Sequence, residues 1–326
     1  MEEILPLRIY QTIVGILGII GNALVCAVIW KIPAMQTRIN AFIFHQAVID
    51  FWGSTMTLLK SEVKVPDPIP SNALGWFICH VWSGFLIFSL YVMSTFNLLA
   101  LTMERYFANV HPLKHQAALA TWPRLKVGIA LTVCWALAFG LNIYTFVLFR
   151  EENGKCVPNQ IPGSKVMGIL VVLIQYFLPV GVMLFAYIRI GVEMKRGAAR
   201  VAPAPAHHLP GGAIAPDIAA SLLRARRNTF KMLLIVFITF VICWTPNQVI
   251  FLMFNLGFRL TLTEWFYYLS VAMVATNSCV NPFIYALKYR QFRKGLRRIF
   301  NRVRKRAENV GTDESQSNNI SNQITT

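Results

Sequence analysis

Long apolar runs alternate with short polar stretches along the whole chain. Seven runs are long enough to cross a bilayer: 9–30, 41–61, 76–103, 125–149, 166–188, 232–256 and 264–287. A spanning helix needs about 20 predominantly apolar residues, so each run is predicted to be one transmembrane helix. The pattern predicts an all-α membrane protein, a seven-transmembrane helix bundle. Residues 1–8 form a short leading segment, 9–288 the bundle and 302–326 a polar, disordered tail. No A-x-A-like cleavage site follows the first run, which therefore reads as an anchored span and not a removed signal. In residues 289–301, Phe292, Leu296, Ile299 and Phe300 recur at helical spacing between Arg and Lys. This predicts a short amphipathic eighth helix on the inner leaflet.

Composition agrees: 56% of the residues are hydrophobic and 14% charged, against roughly 25% charged in soluble domains. The basic residues then orient the bundle. With the N-terminus outside, the outer segments hold only Arg8, Lys60, Lys64, Arg150, Lys155, Lys165 and Arg259, and the other Lys and Arg lie inside. The net charge of +17 is thus a membrane-topology signal, strengthened by anionic inner-leaflet lipid, and does not indicate nucleic acid. The third inner loop, roughly 195–228, is rich in Ala, Pro and Gly between basic flanks and reads as a flexible linker. The flanks extend the fifth and sixth helices inward.

Cys26, Cys134, Cys243 and Cys279 fall inside spans, as small buried thiols do. Cys79 and Cys156 fall on the outer, oxidising side, where a bridge would pin the loop after the fourth span across the bundle mouth. Ionisable groups deep in a span are costly and therefore informative. Asp50 is the one acid deep in a span, and Asn22, Ser94, Asn97, Asn277, Ser278 and Asn281 are polar side chains that could meet it. They could cradle a small cation or form a polar network joining helices; either arrangement satisfies the buried groups.

Taken in order, Gly21-Asn22, Asp50, the Glu104-Arg105-Tyr106 triplet, Trp135, Pro179 with Tyr187, "CWTP" at 243–246 and "NPFIY" at 281–285 resemble the rhodopsin-like (class A) G-protein-coupled receptors. The resemblance covers residues 8 to about 300, with one signature per helix. It implies a plasma-membrane receptor and not an enzyme, of the peptide-receptor type, that activates a heterotrimeric G protein by helix rearrangement. It implies that Glu104 holds Arg105 in an ion pair and that Arg105 turns toward Tyr187 on activation. Pro246 and Pro282 would act as pivots, Trp244 and Phe240 as ligand sensor and relay, and Tyr285 as a group that swings inward beside Asn281. Asp50, Ser94, Asn277 and Asn281 match the family's sodium site, which implies an allosteric sodium ion as the sole cofactor. Arrestin and receptor kinases would act on Ser315, Ser317, Ser321 and Thr325 of the tail.

Two departures stand out. Cys79 lies one residue further from Arg105 than the family usually shows, which a bulge or shifted helix start would absorb. "HQAVID" stands where "LAxxD" is commoner. The third span has no acid between residues 80 and 103, which argues against an amine ligand, and the seventh no lysine between 263 and 287, which excludes a covalently bound retinal. The candidate ligand pocket is lined by Lys60, Ile87, Phe88, Tyr91, Gln175, Asn247, Gln248, Phe251 and Tyr268, with Glu264 beside them. Aromatic and amide walls suit a peptide; a lipid or other small non-amine ligand is the alternative, or a transporter without receptor function. Lys60 either meets a ligand carboxylate or pairs locally with Glu62.

Overall fold

The computed structural model describes residues 5–159, 161–201, 214–260, 265–302 and 304. Seven long helices dominate it: α1 (Leu5–Lys31), α2 (Arg38–Glu62), α3 (Ala73–Val110), α4 (Pro123–Asn142), α5 (164–201), α6 (Ile214–Asn255) and α7 (Trp265–Lys288). They close a ring: α1 packs on α2 and α7, α2 on α3, α3 on α4 and α5, and α6 on α5 and α7. Large apolar side chains such as Ile13, Ile20, Phe185, Ile188, Ile242 and Phe283 point outward from this ring. A water-soluble bundle would bury that surface; a lipid-embedded one exposes it.

By length and composition α1, α3, α4, α5 and α6 each suffice to cross a membrane. Helices α2 and α7 are more polar, yet Gln46, Asp50, Asn277, Ser278 and Asn281 on them are all buried. Their polarity faces the bundle interior, where other helices can satisfy it. Glycines let these helices approach: a Cβ at Gly18 would lie 2.0 Å from Ser54 Oγ, and one at Gly21 would lie 2.9 Å from Pro282 Cγ.

Several predicted boundaries move. Helix α1 begins at Leu5, so Leu5–Arg8 belong to the bundle and not to a separate leading segment. Helix α3 continues past the apolar run, through Glu104 and Arg105 to Val110, so that pair is intrahelical, as the resemblance implies. The fourth span stops at Asn142, not near 149. Asn142 Nδ2 bonds back to Ala138 O at 2.7 Å and Thr145 Oγ1 to Asn142 O at 2.7 Å, side-chain bonds that compete with a continuing helix. A hairpin follows: β1 (Phe149–Glu152) pairs antiparallel with β2 (Lys155–Pro158). Asn153 and Gly154 form its two-residue turn with φ of 52° and 74°, the geometry that Asn-Gly favours.

The inner loop is also shorter than its composition suggests. Helix α5 runs to Val201 and α6 starts at Ile214: the basic flanks supply good helix formers, and residues 217–223 add Ala and Leu ahead of the second flank. Residues 202–213, and almost all of the tail with its four Ser and Thr candidates, lie outside the described residues. Residues 290–302 form α8. Part of its apolar face meets protein and not lipid: Phe292 is buried, Leu296 and Ile299 pack on the core, and Gly295 lies against Val28 and Met35. Phe300 remains exposed.

Candidate functional site

The predicted bridge is present. Cys79 on α3 joins Cys156 on β2, with Cα atoms 5.4 Å apart. Gly154 O also accepts Ile69 N at 2.8 Å, so the hairpin is tied to the α2–α3 connection as well as to α3. The extra residue between Cys79 and Arg105 is absorbed where the sequence required: Ile78–Phe85 is π-helical, and a π-turn takes up one inserted residue. Lys60 Nζ donates to the carbonyls of Trp82 (3.3 Å) and Ser83 (2.6 Å) in that turn. Lys60 thus meets neither a ligand carboxylate nor Glu62, the two partners its sequence position suggests, but the carbonyls that a π-turn leaves available. Glu62 pairs instead with Arg8 at 2.9 Å.

Below the hairpin, Ile87 packs on the core and Tyr91 is buried, its hydroxyl 3.3 Å from Thr57 Oγ1. Phe88 departs from expectation: it is half exposed and covers Gly84 of its own helix. Residues four apart share a helix face while adjacent ones do not, so Ile87 and Tyr91 turn inward together without it. Gln175 Nε2 is buried with no hydrogen-bond partner among the described residues. Asn247 Nδ2 donates to Ser270 Oγ at 3.3 Å. Gln248, Phe251 and Tyr268 are partly buried on α6 and α7; Glu264 lies outside the described residues.

An aromatic column runs inward from there. Tyr91 meets Trp244 edge-on at 5.2 Å between ring centroids, Trp244 lies 6.1 Å from Phe240, and Phe240 lies 6.0 Å from Tyr176. One turn further along α6, Phe237 stacks on Tyr187 at 5.1 Å. Pro246 sits inside α6 beside this column; it has no N–H for the Ile242 carbonyl, which weakens the helix there. Trp244 Nε1 and Tyr285 Oη are buried without partners among the described residues. Pro282 likewise leaves the Ser278 carbonyl unserved, and Asn22 Nδ2 satisfies it at 2.8 Å. That contact gives the Gly21-Asn22 pair a physical role in fastening α1 to the weak point of α7.

At the end of α3 away from the disulfide, Arg105 is ion-paired with Glu104, as expected. His115 Nε2 lies 3.5 Å from the other Glu104 oxygen, and burial holds its imidazole below the ordinary value. Tyr106 packs edge-on against His111 and tilted against Phe185. Tyr187 does not touch Arg105: its hydroxyl accepts from Thr102 at 3.3 Å and donates to Leu233 O at 3.2 Å. Arg105, Asn109, Ile190, Thr229, Phe230 and Leu233 line a cavity of about 180 Å3 between α3, α5 and α6.

The buried polar centre is more specific than the sequence indicated. Asp50 Oδ2 accepts Asn281 Nδ2 at 2.7 Å, and Oδ1 accepts Gln46 Nε2 at 3.0 Å. The same Gln46 nitrogen donates to Ser94 Oγ at 2.6 Å. Asn277 is buried one turn before Asn281 on the same face of α7. Gln46 was absent from the candidates; the one signal for it was the unusual "HQAVID". An ion bridging Asp50 and Ser94 would need lone pairs aimed at it, and here an N–H donor lies between those oxygens. The residues present do not fit a sodium ion in this arrangement.

The comparisons with known proteins agree with the geometry. The family described as 7 transmembrane receptor (rhodopsin family) matches residues 21–285. The chain is 29% identical over 298 residues to galanin receptor 2b of Danio rerio, covering 89% of this chain and 73% of that one. It is 28% identical over 309 residues to adenosine receptor A2a of Homo sapiens, covering 88% and 70%. It is 27% identical over 300 residues to the substance-P receptor of Aquarana catesbeiana, covering 89% and 69%. The disulfide-tied hairpin, the Arg105 pair and the two proline-weakened helices therefore sit in a multi-pass membrane protein, and the chain belongs to the rhodopsin family of seven-transmembrane receptors.

Proposed function

We propose that this receptor resides in the plasma membrane with its N-terminus outside, binds an extracellular neuropeptide in its outer half and activates a heterotrimeric G protein. The observation that carries the reading is the aromatic column from Tyr91 through Trp244 and Phe240 to Tyr176, with Phe237 stacked on Tyr187 one turn further along, all in one buried cluster. A ligand pressing on Trp244 displaces α6, whose ladder is already interrupted at Pro246. The cavity beside Arg105 then widens, Arg105 leaves Glu104, and a helix of the G protein enters. Peptide is preferred because Gln175, Asn247 and Gln248 offer uncharged donors and acceptors to backbone amides, and because two of the relatives above are named for peptides. The tail would present sites to receptor kinases and arrestin.

The adenosine receptor among the relatives supports a second reading, a small heteroaromatic ligand held by the same amides. A panel of neuropeptides and nucleosides applied to cells expressing the chain, read by calcium and cyclic AMP, separates the two. A response to a peptide that disappears in Asn247→Ala supports the main reading; a response to nucleosides alone overturns it. Arg105→Ala is expected to reduce G-protein activation to the level of untransfected cells with surface expression intact. Unchanged signalling would remove Arg105 from the mechanism.

A further inference from the structure

Gln46 lies at the centre of the bundle, 0% exposed, hydrogen-bonded to Ser94 and Asn97 of α3 and to Asp50 one turn on in its own helix. The direction of each bond follows from one fixed donor. Trp135 on α4 has an indole N–H and no acceptor, and it donates to His45 Nε2 at 2.9 Å. That nitrogen must therefore be bare, so the His45 proton is on Nδ1, which faces Asn97 Oδ1 at 2.9 Å. Asn97 Nδ2 is then the donor edge, serving Phe42 O at 3.1 Å and Gln46 Oε1 at 2.8 Å. Gln46 Nε2 is left to donate its two hydrogens to Asp50 Oδ1 and Ser94 Oγ.

The opposite amide orientation fails at both ends. Gln46 Nε2 would face Asn97 Nδ2, donor against donor, and Gln46 Oε1 would face the ionised Asp50 carboxylate, acceptor against acceptor. Assignments of amide oxygen and nitrogen rest on such networks, and this one is set from outside by an indole that cannot be reversed.

We propose that the Gln46 amide is a tethered substitute for the family's sodium ion, fixing Asp50 to Ser94 from within α2 and making this receptor insensitive to sodium. A mobile cation bridges Asp50 to Ser94 only while bound, and its effect scales with salt. A side chain that bridges the same oxygens is always present. The switch centre is then pinned through Gln46, Asn97 and His45 to α4, so its restraint is a constant of the fold and not a function of the ionic environment.

The test measures the Tm of the purified full-length receptor in detergent with sodium chloride and with choline chloride at equal concentration. It reads folding and not signalling, so its failure is separable from failure of the ligand or G-protein assignment. Wild type is expected to give the same Tm in both salts. Gln46→Ala, which removes the tethered donor and leaves space, is expected to gain a sodium-specific rise of roughly 3 °C, and adding Asp50→Asn is expected to abolish that gain. If Gln46→Ala does not fold, Gln46→Ser, which shortens the side chain and keeps an oxygen, takes its place. A sodium-specific rise in wild type overturns the proposal, and so does a folded Gln46 variant whose Tm ignores sodium.

Discussion

The α2–α3–α4 side of the bundle and the α5–α6 side are held by different forces. On the first, Trp135, His45, Asn97, Gln46 and Asp50 form one directed chain of hydrogen bonds. On the second, ring contacts among Tyr91, Trp244, Phe240 and Tyr176 predominate, joined by the Tyr176–Thr245 and Tyr187–Leu233 hydrogen bonds between α5 and α6. The Trp244 N–H is buried without a partner among the described residues. Buried hydrogen bonds tolerate little displacement before a polar group is left unsatisfied. Offset and edge-on aromatic contacts are worth about 0.5–1.5 kcal/mol beyond burial and accept a range of ring positions. The proline lies on the aromatic side, inside α6. The contrast describes a machine with a fixed half and a moving half, and α3, which carries Arg105, belongs to both.

Several substitutions break or sharpen that contrast. The largest loss is expected from Cys79→Ser, because the bridge closes a loop of 77 residues and such a constraint is worth about 2–5 kcal/mol. Reduced surface expression and a lower Tm check it; unchanged values would mean that the hairpin is held by its other contacts. On the fixed half, His45→Phe removes the link between Trp135 and Asn97 and is expected to cost about 1–3 kcal/mol, read as a fall in Tm. On the moving half, Trp244→Phe removes an N–H that has no partner among the described residues, so Tm is expected to change least. Its effect should fall instead on the balance of signalling states, measured as basal nucleotide exchange. If His45→Phe leaves Tm unchanged while Trp244→Phe lowers it, the two halves have been assigned the wrong way round.

The spans were legible in sequence because a bilayer imposes one length and one polarity on every helix. The same rule marked Asp50, Asn281 and Arg105, since polar groups in such helices are conspicuous. The roles of Lys60, Phe88 and Gln46 were not legible, for a shared reason. Each depends on atoms supplied by another part of the fold: the π-turn carbonyls for Lys60, the face selected by that turn for Phe88, and Asn97 with its chain to Trp135 for Gln46. The Asn153-Gly154 turn was present in the sequence as a hairpin signal, but the apolar run across 125–149 concealed the strand beside it.

Distance measurement between paired spin labels on a receptor–G-protein complex, isolated by co-elution and freed of nucleotide, tests the central claim most directly. One pair, Arg38→Cys with Asn228→Cys, spans α2 and α6; the other, Arg38→Cys with Leu125→Cys, spans α2 and α4. Both pairs use exposed positions. The account predicts that the α2–α6 distance lengthens in the complex and the α2–α4 distance stays constant. An unchanged α2–α6 distance in a co-eluting complex, or equal lengthening of both, would contradict it.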